Sequence, residues 1–210
     1  MDRILVLLAS GAMSGGIYLG FVMALKNRET RDYFKKNWWL SPNWVCVWRT
    51  IIGLIALVIY FSTSLEFLGI MLFTLSAVLD GVDGLIARKC KKITEFGKIL
   101  DPLCDKLTYL PALAMFALVG KIEVAMVVIL VIIEFFGQFI VRPIIKNKSH
   151  LSVAANKVGK FKAALCFILI IYLAILDGGI KMPNIADETL MACNFLAMGS
   201  IIFKFIPRKI

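Results

Sequence analysis

Residues 79–88, LDGVDGLIAR, and 97–105, GKILDPLCD, decide what this chain is. They place Asp80, Asp83, Asp101 and Asp105 between two apolar stretches long enough to cross a membrane. A charged side chain in such a helix costs roughly 2.5 kcal/mol or more, so it calls for a partner or a task. If the flanks are helical, Asp80 and Asp83 stand at i, i+3 and Asp101 and Asp105 at i, i+4, each pair on one face. Four like charges brought together would repel and neutralise unless something strongly positive lies between them. Hard divalent cations with oxygen ligands are the natural candidate, so two ions, magnesium or manganese, are expected.

Working outward, the rest of the chain also belongs in a bilayer. Of 210 residues, 60% are hydrophobic, and mean hydropathy is +0.85, far from a soluble composition. The apolar runs predict an all-α polytopic bundle with spans near 4–25, 44–62, 66–87, 100–119, 122–144, 160–176 and 188–205. The net charge of +10 is concentrated in alternate loops. Lys26–Lys36, Arg88–Lys98, Arg142–Lys162 and Arg208–Lys209 carry it, and the loops between them are nearly bare of lysine and arginine. That alternation reads as topology, with these segments in the cytoplasm, and not as a nucleic-acid surface. Between the first two spans, Arg31–Leu40 mixes Lys35 and Lys36 with Tyr33, Phe34, Trp38 and Trp39, the composition of a helix lying at headgroup level. Gly11/Gly15 and Gly16/Gly20 form small-residue pairs through which a second copy could pack as a homodimer. Five cysteines show no paired spacing, so neither a zinc site nor a disulfide framework is expected. His150 is the only histidine and reads as a solvated loop residue.

The pattern Asp80-x2-Asp83-Gly84-x2-Ala87-Arg88-x8-Gly97-x3-Asp101-x3-Asp105 resembles, at every fixed position, the signature of the CDP-alcohol phosphotransferases. The resemblance covers about residues 41–205 and implies six core transmembrane helices, with 1–40 as an extra N-terminal span and interfacial segment and 41–210 as the catalytic domain. It implies that Asp80, Asp83 and Asp101 ligate metal, and that Asp105 both touches metal and takes the acceptor hydroxyl's proton. Gly84, Ala87, Arg88, Thr94 and Gly97 would line the site of a CDP-linked donor, usually CDP-diacylglycerol. Asn43 and Arg49 join them because Ser41-Pro42-Asn43…Arg49 is similar to the family's Pro-Asn…Arg opening, although Cys46 replaces a common threonine there. By physical role, Gly84 and Ala87 permit close approach to the backbone, Arg88 suits phosphate, and Pro102 suits a first helical turn.

The acceptor is less clearly written. Residues 96–107, FGKILDPLCDKL, and 154–162, AANKVGKFK, resemble segments of phosphatidylglycerophosphate synthases and eukaryotic-type cardiolipin synthases. This implies glycerol 3-phosphate as acceptor, bracketed by Arg142, Lys160 and Lys162, since a phosphate demands cationic donors. Departures leave the acceptor open. Ile133 replaces an arginine, Ala163 replaces a threonine, and the Glu134–Arg142 interval is one residue longer. Cardiolipin synthase or phosphatidylinositol phosphate synthase activity is the nearest rival within the family. From another class, a divalent-cation transporter would also place acids in a membrane, but it needs access from both faces, whereas these acids gather at one end. The expected location is a multi-pass protein of the bacterial cell membrane with its site facing the cytoplasm.

Overall fold

A computed structural model describes residues 3–92, 94–146, 157–176 and 183–205. All the regular structure among them is helical: α1 (Arg3–Ala24), α2 (Arg28–Lys36), α3 (Pro42–Ser62), α4 (Glu66–Lys89), α5 (Glu95–Leu118), α6 (Val124–Phe136), α7 (Arg142–Lys146), α8 (Lys157–Leu176) and α9 (Pro183–Lys204). A 3₁₀ turn covers Trp38–Leu40, and a π-helical turn, Gly137–Val141, joins α6 to α7. Five of these segments are long and apolar enough to cross a membrane: α3, α4, α6 continued into α7, α8 and α9. A sixth appears if α1 and α2, which meet at 100°, count as one broken span. Helices of that length and hydropathy mark an integral membrane protein. The expected fourth span, now α5, carries Asp101, Asp105 and Lys106 and so falls short on apolarity.

The chain divides into two compact units, Met1–Cys104 and Asp105–Ile210, with the division running through α5. In the first, α3 and α4 form a hairpin closed by Thr63, whose hydroxyl donates to Ile59 O at 2.7 Å and accepts from Leu65 N–H at 3.0 Å. Gly69 lets the pair close: a Cβ there would sit 2.8 Å from Tyr60 Cβ and 3.0 Å from Ala56 O. Against α4 packs α1, where Gly81 faces the Tyr18 ring. Leu25, Val82, Leu85, Ile86 and Cys90 make the buried core there, joined by Phe21, Val22 and Phe34.

Local chemistry explains the elbow between α1 and α2. Arg31 Nη1 donates to Leu25 O and Lys26 O at 3.0 and 2.7 Å, satisfying carbonyls at the end of α1. Asn27 caps α2 by accepting the Glu29 N–H at 3.1 Å. The expected interfacial stretch Arg31–Leu40 is therefore two pieces, a helix that begins earlier, at Arg28, and the 3₁₀ turn. Trp38 stacks on Trp39 and meets Trp44 edge-on, with ring centroids 5.7 and 5.1 Å apart.

In the second unit, α9 packs on α6 and α8. Asp187 caps α6 by accepting the Glu123 N–H at 3.0 Å, and Asn194 Nδ2 donates to Met126 O at 3.1 Å. Gly137 admits Ile201, whose Cδ1 would be 3.2 Å from an added Cβ. By contrast, an added Cβ on Gly11, Gly15, Gly16 or Gly20 would meet nothing within 4 Å among the described residues. The five cysteines are all buried, and none is joined in a disulfide. The basic positions Lys148, Lys181, Arg208 and Lys209, and His150, lie outside the described residues.

Candidate active site

Two helix ends build the site in the first unit. At the end of α4, Lys91 takes φ +53°, which lets Lys92 N–H bond Ala87 O at 3.0 Å and Lys91 N–H bond Arg88 O at 3.4 Å. This double closure is a Schellman motif, here with a lysine in the left-handed position. It turns the chain so that Lys92 Nζ reaches back to Lys35 O at 2.6 Å, at the end of α2. Two residues later Thr94 caps α5, accepting the Gly97 N–H on its hydroxyl at 3.0 Å. That cap starts α5 earlier than expected and corrects the reading of Pro102, which lies inside the helix and not in its first turn. A proline there has no N–H to give the Lys98 carbonyl.

Between these ends opens a small cleft lined by Pro42, Asn43, Asp83, Ala87, Lys92, Thr94, Gly97, Lys98 and Asp101. It brings together five of the residues expected to hold the donor or its metal from α4 and α5 with Asn43 at the start of α3. Gly97 packs closely: a Cβ would lie 2.8 Å from Asn43 Oδ1 and 3.1 Å from Thr94 Oγ1. Asn43 Nδ2 in turn donates to Thr94 Oγ1 at 3.4 Å. Gly84 faces open space, with only the Arg88 guanidinium, 3.9 Å away, near a would-be Cβ. Arg88 itself is exposed.

Arg49 is not in the cleft lining. It is fully buried and reaches from α3 to two of the acids, with Nη2 2.9 Å from Asp80 Oδ1 and Nε 2.9 Å from Asp83 Oδ2. Ser76 of α4 donates to the Arg49 carbonyl at 2.8 Å, tying the same two helices. Asp83 is buried, whereas half of the Asp80 side chain is exposed. Carboxylates are the donors that suit a hard divalent ion, and Asp83 and Asp101 share one cleft, so the residues fit such an ion by chemistry and charge. Among the described residues no three His, Cys, Asp or Glu side chains are gathered closely enough to hold one as placed. Asp105 follows Asp101 by one turn of α5.

The second unit holds a buried ionic network in which Lys162 meets partners that no sequence pattern announces. Glu134 on α6 pairs with Lys106 of α5 at 3.0 Å and with Lys162 of α8. Lys162 also donates to Tyr109 OH at 3.0 Å, and Lys106 to Gln138 Oε1 at 3.1 Å. Of the three expected acceptor cations, Lys162 is thus buried in this network, Lys160 is exposed, and Arg142 opens α7. The π turn at Gly137–Val141 lies within the Glu134–Arg142 interval that reads one residue long. A single π turn absorbs one extra residue in a helix, and such turns recur at functional sites.

A family model described as CDP-alcohol phosphatidyltransferase matches residues 39–203. The chain is similar to proteins named CDP-diacylglycerol--glycerol-3-phosphate 3-phosphatidyltransferase. One from Rickettsia typhi is 44% identical over 68 residues, 31% of this chain and 38% of the relative. One from Bacillus subtilis is 38% identical over 94 residues, 45% and 48% of the two chains. One from Cereibacter sphaeroides is 28% identical over 155 residues, 71% and 70% of the two chains. The match thus spans well under half the length of the first of these relatives. Because the family model covers the larger part of the sequence, and both acids that share the cleft lie inside it, the chain belongs to the CDP-alcohol phosphatidyltransferase family.

Proposed function

We propose that this protein transfers a phosphatidyl group from CDP-diacylglycerol to glycerol 3-phosphate and releases CMP. The observation that carries the proposal is the cleft in which Asp83 and Asp101 meet Asn43, Ala87, Thr94 and Gly97. It has acids suited to a metal-held diphosphate. The names of the relatives support the choice of both substrates.

In the reaction, the acceptor hydroxyl oxygen forms a bond to the phosphorus that bears the diacylglycerol. The bond from that phosphorus to the CMP oxygen breaks, and CMP leaves with the electron pair. Asp105 takes the hydroxyl proton, a role within a carboxylate's reach when proton transfer accompanies attack. Two bound divalent ions would supply charge neutralisation along the in-line path, with Asp80, Asp83, Asp101 and Asp105 as their ligands. Arg88 grips donor phosphate, Gly84 and Ala87 admit the nucleotide, and Asn43, Thr94 and Gly97 shape the wall opposite. Arg142, Lys160 and Lys162 draw the acceptor phosphate to its side of the bundle. Six core spans follow one extra N-terminal span, residues 1–40, with the basic segments and the site on the cytoplasmic side.

The test is product identification. Purified protein with labelled CDP-diacylglycerol should make phosphatidylglycerol phosphate from glycerol 3-phosphate. A product formed instead from phosphatidylglycerol or inositol phosphate would keep the family chemistry and overturn the acceptor.

A further inference from the structure

A guanidinium stays charged at any pH a protein meets, and burying one is unfavourable unless anions surround it. Arg49 is wholly buried, yet it faces two carboxylates one helical turn apart, each at 2.9 Å. Its approach is from the packed side of α3, where Cys46 Sγ lies 3.7 Å from Nη2 and Ser76 holds its carbonyl. Asp80 is half-exposed, and Asp83 lines the cleft. One cation thus offsets one of two negative charges and leaves the pair with net charge −1.

We infer that Arg49 is a built-in counter-cation that orients Asp80 and Asp83 when no divalent ion is bound and lowers their affinity for one. This rests on the reading of those acids as ion ligands. Arg49 is a positioning residue: it lies outside the cleft lining and acts through the two carboxylates. Without it the pair carries net charge −2, which repels itself in the absence of metal and attracts a divalent ion more strongly. The two consequences have opposite signs. Metal-free protein becomes weaker, whereas metal binding becomes tighter. A side chain that merely braced α3 against α4 would make both worse when removed.

The experiment is a manganese titration of the full-length protein in lipid nanodiscs, read by loss of the free-ion paramagnetic resonance signal, together with thermal melting. For Arg49→Gln the expected manganese dissociation constant is about tenfold lower than wild type, the sign following from removal of a like charge. In excess chelator this variant melts below wild type, and saturating manganese closes the gap. Arg49→Lys keeps the charge and should stay within about threefold of wild-type affinity. An unchanged or raised dissociation constant for Arg49→Gln overturns the inference. So does failure of that variant to fold even when prepared in manganese, because charge balance alone would then be restored by the ion. Asp80→Asn/Asp83→Asn separates the two readings. If wild type binds no manganese, or the double variant binds it as well as wild type, the ligand assignment fails. If the double variant loses binding and Arg49→Gln is unaltered, only the role of Arg49 falls.

Discussion

Gly97 and Asn43 stand so close that a single methyl group on the glycine would reach to 2.8 Å of the Asn43 side-chain oxygen. The atom met is the tip of a short, partly exposed side chain, so Asn43 can swing away at little cost to the fold. It would then leave the cleft wall. Gly97→Ala is expected to leave the melting temperature nearly unchanged and to weaken CDP-diacylglycerol binding about tenfold, roughly 1.4 kcal/mol. With Asn43→Ala the losses should be strongly non-additive, because both act on one contact. Titrations of the two single variants and the double variant check this.

At Gly69 the same substitution meets Tyr60 Cα and Cβ and a backbone oxygen, none of which can turn aside. Gly69→Ala should force α3 and α4 apart and cost about 1–3 kcal/mol. Thermal unfolding in detergent would show it, and donor affinity measured well below the transition should change little.

Glu134 divides its carboxylate between Lys106 and Lys162 in a buried setting. Glu134→Gln takes the compensating charge from two cations and is expected to destabilise by about 3–5 kcal/mol. Replacing Glu134 by Gln and Lys162 by Met together should cost less than the sum of the single changes, since a matched removal leaves less uncompensated charge. Unfolding curves of the three variants decide it.

Lys160 and Lys162, proposed to bind the acceptor, should separate in the same way. Lys160 is exposed, so Lys160→Ala should raise KM for glycerol 3-phosphate about tenfold to a hundredfold, the loss of a charge-assisted bond of about 1.5–3 kcal/mol, with stability intact. Lys162→Ala should lower stability as well, because it opens the Glu134 network. KM for CDP-diacylglycerol is expected to hold in both.

How legible was all this in the sequence? The register of Asp80, Asp83, Asp101 and Asp105 follows from helical periodicity, and α4 and α5 carry them as the spacing requires. The cleft residues of these helices are near neighbours in sequence, so their convergence could be read there. Arg49 could not be placed this way. It lies 31 and 34 residues before the acids it holds, and the positive charge that four acids demand was assigned to metal alone. Glu134 likewise meets lysines 28 residues away on either side, a relation that only helix packing creates. The start of α5 is not legible in hydropathy, because the hydrophobic run begins later than the cap and Thr94 signals the helix by hydrogen bonding. The extra residue between Glu134 and Arg142 was visible, but its accommodation as a π turn depends on packing, as where Gly137 meets Ile201.

The most direct test of the proposed chemistry compares wild type with Asp105→Asn for CMP release from CDP-diacylglycerol and glycerol 3-phosphate, with donor binding measured on both. An amide keeps the size of the side chain but cannot take the proton, so the rate should fall about a hundredfold or more with donor binding largely retained. Wild-type release should stop in excess chelator and return with magnesium or manganese. An Asp105→Asn protein that keeps more than about a tenth of the wild-type rate, or wild-type turnover undiminished in chelator, would contradict the account.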